Sequence, residues 1–364
     1  MLADETSRPI FRVPSEHASV SAALEAAAAV RGTVLVAAGL FREATLKVGP
    51  GVSLEGSGEA TVLESEVHTV LACADGAERI ANLVIRQTAA DSAEPTFGIE
   101  LRGKTVVEQC EISASSRAKN SAGVLARGGA AAPTLRGCTV HSCGQSGVLL
   151  ATGARATLLQ CAVRTCGGSA ALVLSGCVLD VQGGVLLGCA EHAICVVGRA
   201  AAVLASCELR SNGGAAGLAT VSVKAAGGAS GRLSMRECKV GEASGMGVQL
   251  SDGAEAAICN CTIRGSAKAG VAAKAAGKVQ LLDNDISEGG AAGIMVLQPG
   301  EAATIKGNTL RANAKAGVQV SAGASPVLHS NKILDGLGPG IFIFGGGQAQ
   351  VRRSERKVTP QCSP

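Results

Sequence analysis

The chain repeats itself with a period near 23 residues, and no other feature of the sequence restricts the possible folds so strongly. One slot marks the register. It falls at Cys110, Cys138, Cys161, Gly184, Cys207, Cys238, Cys261, Asn284, Asn308 and Asn331, at intervals of 28, 23, 23, 23, 31, 23, 23, 24 and 23. Two positions after the slot the residue is always apolar, from Ile112 and Val140 to Leu310 and Ile333. Three positions before it the residue is apolar again, from Val107 and Leu135 to Ile305 and Leu328. A Gly-apolar pair opens a third run in most units, as in Gly123-Val124, Gly147-Val148, Gly270-Val271 and Gly317-Val318.

Runs this short, alternating and punctuated by Gly, Asn and Ser, are not helical. Each is stable only if the chain coils and every run pairs in parallel with the run one coil below. The reading is an all-β fold, a single right-handed parallel β-helix of about 10–12 turns with a strand spacing of about 4.8 Å. The slot then lies at a bend, with its side chain turned inward. Asn there bonds the backbone of the bend, whereas Cys fills it as a small, weakly polar residue. A second column five residues later mixes Cys143, Cys166, Cys189, Asn212, Ser266 and Asn313 in the same way. The exchange of thiol for amide is therefore read as structural.

Composition agrees with a thin core. There are 49 Gly, no Trp, no Tyr and only five Phe, so Val, Leu, Ile, Ala and Cys must fill the interior. The net charge is +4, and the segment RRSERK alone contributes Arg352, Arg353, Arg356 and Lys357 against Glu355. The body is close to neutral, which argues against nucleic acid and membrane as partners. The start has no apolar run of signal type, and no window reaches the roughly 18 apolar residues of a membrane helix. A soluble cytoplasmic protein is expected. Its 14 Cys include no CxxC pair and its five His are scattered, so reduced thiols are expected, with no metal and no cofactor.

Three segments are expected: a flexible N-terminus over 1–14, the β-helix domain over 15–351 and a basic flexible tail over 352–364. SVSAALEAAAAVRG predicts a helix capped by Ser19 or Ser21, with Val20, Leu24 and Ala28 on one face. It would cover the open end of the first coil. Phe342 and Phe344 would cap the other end or seat a partner.

The order SVSAALEAAAAVRGTVLVAAGLFREATLKVGPGVSLEGSG, followed by repeats such as NTLRANAKAGVQV, resembles the pectate-lyase-like superfamily. More narrowly, it resembles the β-helix repeat region shared by carbohydrate-binding and sugar-hydrolase proteins and by β-helix F-box substrate receptors. The resemblance spans roughly residues 15–351. It implies that any catalytic residues line the outer face of the strand after each Gly. Here that column reads Glu100, Leu125, Leu149, Val173, Cys195, Gln249, Ala272, Met295, Gln319 and Phe342. It holds one carboxylate and no base. The DPHD sequence of alginate epimerases and the paired-Asp motifs of polygalacturonases are absent. Asp283 and Asp285, either side of an inward slot, read as solvated turn residues.

The expected function is a non-catalytic recognition scaffold whose partner is a protein, by resemblance of the ubiquitin-ligase substrate-receptor kind; its first-strand face reads as small and apolar, with Leu125, Leu149, Val173, Met295 and Phe342 outward and exposed. The alternative is a carbohydrate-active protein with a degenerate site, a polysaccharide lyase, hydrolase or lectin-like binder. Two sets of residues are candidates for binding. Arg164, Arg210, Arg264 and Arg311, with His141, sit three positions after the slot and face outward. Glu100, Arg102 and Arg127 lie beside the long connections 86–97, 113–123 and 221–231, and long loops on a regular scaffold are where binding concentrates.

Overall fold

The computed structural model describes residues 8–357, apart from 215, 227, 229 and 302. Two compact units, 1–167 and 168–364, each wind as a right-handed parallel β-solenoid, and together they complete about 15 coils. Each complete coil contributes three strands, and the first and last coils are partial. In the N-terminal unit the first face includes Phe97–Leu101, Ala122–Arg127 and Ser146–Ala151, the second Val106–Glu108, Thr134–Arg136 and Arg155–Leu159, and the third Glu111–Ala114, Thr139–His141 and Ala162–Arg164. All pair in parallel and in register, Ile99 with Val124 and Val124 with Val148. The C-terminal unit repeats the pattern, Val271 with Ile294 and Ile294 with Val318. The coils exceed the expected number because the spacing is irregular before residue 88 and after residue 340, where strands still form.

The corner at the slot explains the repeat. The residue before the slot is left-handed in coil after coil, with φ of 50° at Gln109, 51° at Gln160, 54° at Ser206, 55° at Glu237 and 54° at Asp283. The same holds before the second column, from Ser142 at 50° and Thr165 at 52° to Ala312 at 51°. Most of these are not glycine, so each carries a steric cost of roughly 1–2 kcal/mol. The inward side chain offsets it. Asn308 Nδ2 donates to Leu281 O at 2.8 Å and Lys306 O at 3.1 Å. Cys138 Sγ reaches the equivalent carbonyls, Val107 O at 3.4 Å and Arg136 O at 3.5 Å. Thiol and amide therefore exchange because both donate into the same pair of carbonyls, the amide to both at once and the thiol, with its single proton, to one at a time. The thiol keeps its proton: the bond with Cys110 first pushes Cys138 up, to about 12.

Asn does more than Cys. Its Oδ1 accepts the backbone N–H of the slot residue one coil below, Cys261 to Asn284 at 2.9 Å and Asn284 to Asn308 at 3.0 Å. The amides also form a ladder, Asn284 Nδ2 to Asn308 Oδ1 at 2.9 Å and Asn308 Nδ2 to Asn331 Oδ1 at 3.0 Å.

The helix forms over Val20–Val30 and packs on the strands Ile10–Val13, Thr33–Val36 and Leu46–Val48. Ser19 Oγ accepts from Ala22 N, and the Glu43 carboxylate accepts from Val20 N and Ser21 N at 2.7 and 3.0 Å. Its buried face is Val20, Ala23, Leu24 and Ala27; Ala28, placed on that face by the sequence, is exposed. Ile10–Val13, within the segment read as N-terminal tail, pairs with Thr33–Val36. Gln350–Arg352 and Glu355–Lys357 pair with the coil before them, and 358–364 lie outside the described residues. No helix among the described residues is long and apolar enough to cross a membrane.

Two consequences are measurable by urea unfolding. Asn308→Ala strands the Asn284 N–H and the Leu281 carbonyl, so stability should fall by about 2–6 kcal/mol at ~1–3 per group, and Asn308→Cys should lose less. Ala312→Gly removes a left-handed β-carbon and should gain roughly 1 kcal/mol.

Candidate functional site

The outward column on the first face of the N-terminal unit is Lys47, Ala72, Glu100, Leu125 and Leu149, in register. Glu100 is only 8 % exposed, yet it is charged and outward. Its Oε1 accepts from Arg102 Nε and from Arg127 Nε, both at 2.6 Å. The two arginines follow Leu101 and Ala126, which are register partners, so the guanidiniums rise from equivalent positions on adjacent coils. The sequence reading of that equivalence and of Glu100 beside it matches the geometry. One carboxylate faces two cations, so the cluster keeps a net positive charge, and no other hydrogen bond engages the guanidiniums among the described residues.

A cleft of about 460 Å³ opens beside this cluster, bounded by Thr45, His68, Ser92, Glu94, Thr96 and Glu100. Its wall is the long connection after Val84–Gln87 that the sequence singles out. Thr96 Oγ1 is buried there with no hydrogen-bond partner among the described residues. Behind the face, the Cys73 thiol is pushed up to about 12, by burial first and by Glu100 second, so it offers no thiolate at neutral pH.

The rest of the column departs from expectation. Leu125 and Leu149 are each 3 % exposed, so the N-terminal part of the apolar strip anticipated for a protein partner is closed, while Met295 is half-buried and Phe342 is exposed. Val173 points inward. It is in register with Val196, and the outward residue of its strand is Leu172. The Gly-apolar pair that marks the other coils is missing there, and a one-residue slip reverses every side chain in a strand.

The other four candidate arginines lie on the third face, away from the first. Arg164 belongs to the N-terminal unit and Arg210, Arg264 and Arg311 to the C-terminal one. The last three are answered locally: Arg210 by Glu208 at 2.8 Å, Arg264 by Glu288 at 2.7 Å and Arg311 by Asp285 at 2.8 Å. Asp285, read as a solvated turn residue, is thus an ion-pair partner. These exposed pairs tie neighbouring positions and gather no free charge.

One acid–imidazole pair escaped the sequence reading. Glu111 Oε1 lies 2.9 Å from His141 Nε2, and His141 Nδ1 lies 3.0 Å from Ser142 Oγ. The available signal was Glu one position after a slot and His three positions after the next, a diagonal that the register closes. The Ser142 N–H is already bonded to Arg164 O, so the relay has no donor of its own to spare for a developing oxyanion. Among the described residues no three or more His, Cys, Asp or Glu converge as metal ligands.

Three-strand coils with left-handed corners, inward thiol and amide files and charge confined to outer faces define a right-handed β-helix protein. The family model "Right handed beta helix region" matches residues 50–213 and 219–360, and the chain belongs to that family. No curated protein matches the chain. Among solved structures it is similar to the A-module of a mannuronan C-5 epimerase of Azotobacter vinelandii, at 16 % identity and TM-score 0.54, covering 92 % of this chain and 96 % of that one. It is also similar to the catalytic unit of a GH87 α-1,3-glucanase of Streptomyces thermodiastaticus, at 14 % identity and TM-score 0.57, covering 95 % and 68 %. A third is the Dettilon tailspike protein, at 12 % identity and TM-score 0.56, covering 92 % and 68 %.

Because Leu already occupies the two coils above it, Glu100→Leu should cost no more than about 1 kcal/mol in a denaturant melt. A loss of several kcal/mol would mean the cluster is structural cement.

Proposed function

We propose that the chain binds a polysaccharide that carries carboxylates, at the first face of its N-terminal unit, as a lectin-like module. The observation that carries this reading is the Glu100 carboxylate shared by Arg102 and Arg127 at the edge of an open cleft. Guanidinium nitrogens left over from Glu100 suit the bidentate recognition of a sugar carboxylate. The half-buried Ser92, whose hydroxyl donates to Glu94 O at 2.7 Å, keeps its lone pairs for a sugar hydroxyl. The choice of polysaccharide draws on the company of the fold, which includes an epimerase of mannuronan and a glucanase. The choice of binding over catalysis rests on the single carboxylate in the column, which is committed to two arginines. Partnership with a protein on this part of the face loses support with the burial of Leu125 and Leu149. A reducing compartment is proposed from the inward files of buried thiols, among them Cys110, Cys138 and Cys161.

The test is calorimetric titration with polymannuronate and with a neutral α-1,3-glucan, at two salt concentrations. Polymannuronate should bind, more weakly at high salt, and Arg127→Ala should weaken it at least tenfold. Equal binding of the neutral glucan, or release of new chain ends, would replace this reading with a neutral-sugar binder or an enzyme.

A further inference from the structure

A second cleft, of about 450 Å³, lies between the helix Val20–Val30 and the first face of the same unit. Its shape follows from side-chain size along two columns. Lys47, Ala72 and Glu100 stand in one, and the next pair of positions adds Gly49, Ala74 and Arg102. The coil holding Ala72 and Ala74 thus has short side chains, between a coil bearing Lys47 and a coil bearing Arg102. The result is a trough one coil wide, with its flanking coils about 9.6 Å apart, twice the strand spacing. Leu24 and Ala28 of the helix wall it on the other side. The lining is mostly aliphatic. The charges bordering it are Lys47 and Arg102 from the sheet and Glu25 from the helix, so cations outnumber the acid.

A narrow aliphatic trough bordered by ammonium and guanidinium is complementary to a slender chain with an anionic head. Its volume is within the range of small-molecule sites. We propose that this cleft binds a free monocarboxylate with an unbranched aliphatic chain, its carboxylate at Lys47 and Arg102 and its chain lying over Ala72 and Ala74 beneath the helix. The ligand is held without a covalent bond, since the Cys73 thiol at the back of the trough stays protonated at neutral pH. This cleft shares Arg102 and Ala72 with the polysaccharide reading, but the two are separable: that reading turns on Arg127 and polymannuronate, this one on Lys47 and a fatty monocarboxylate.

The experiment is calorimetric titration of the full chain with decanoate, with decanol as the uncharged control. Decanoate should bind with one-to-one stoichiometry and decanol at least tenfold more weakly. Lys47→Glu should weaken decanoate at least tenfold, and Lys47→Arg should restore it. Ala72→Phe, which fills the trough from an outward position, should abolish binding. Lys47 is exposed and Ala72 half-buried on the outer face, so a thermal melt should show all three variants folded. No binding of decanoate to the parent chain would overturn the proposal. So would equal affinity of folded Lys47→Glu and Ala72→Phe, or decanol binding as tightly as decanoate.

Discussion

The coil can close only because its chain turns sharply at two left-handed corners, and L-residues resist that conformation. Glycine relieves the resistance at some corners, such as Gly137 and Gly307, but Gln109, Ser206, Glu237 and Asp283 hold the same angle with full side chains. What holds them is the next residue, whose inward donor ties the corner to a carbonyl in its own coil or in the coil below, and in Asn308 to both. A buried polar atom in so thin a core is tolerable only when it is bonded, and here the bond is also the hinge pin. This answers why the sequence lets cysteine and asparagine share a slot while keeping aromatic rings out. A ring would neither donate to both carbonyls nor fit beside its own copy one strand spacing away.

The same regularity decides where chemistry can sit. Inward positions belong to the files, so charge is sorted to the outer faces, where side chains of adjacent coils meet at strand spacing. On most of the third face that spacing is used to cancel charge, as Asp285 and Arg311 do. On the first face of the N-terminal unit it is used differently: two arginines share one nearly buried carboxylate, and the long connection after Gln87 raises a wall beside them. The site is thus a local departure from a neutralised pattern. Small residues at Ala72 and Ala74 make a second departure, a gap in an otherwise filled surface.

Much of the architecture was legible because the period is a physical one. Inward apolar positions, the two corner columns, the capping helix and the equivalence of Arg102 and Arg127 all follow from counting along the repeat. What escaped was whatever breaks or crosses the count. Val173 was misplaced because Ser169, Ala170 and Ala171 replace the glycine that marks the strand start elsewhere. Ile10–Val13 was missed because its partner, Thr33–Val36, is reached only after a helix intervenes. Leu125 and Leu149 were placed on the correct side but read as exposed, since alternation tells direction and says nothing of what lies over a residue. The pair Glu111 and His141 needs the register of two coils at once. Of the seven arginine and glutamate candidates, only Glu100, Arg102 and Arg127 converge, because the acids that answer the third-face arginines are themselves set by the repeat.

The corner mechanism is tested most directly at Cys138, where a protonated thiol stands between Cys110 and Cys161 and within reach of two carbonyls. Denaturant stability should be compared for Cys138→Asn and Cys138→Val. Asn can donate to the same carbonyls and accept the N–H from the coil below, so that variant should be at least as stable as the parent. Val is apolar and slightly larger than the thiol and donates nothing, and should lose about 1 kcal/mol or more. A valine variant as stable as the parent, with the asparagine variant weakened, would show that the slot selects for size and that the donor is incidental.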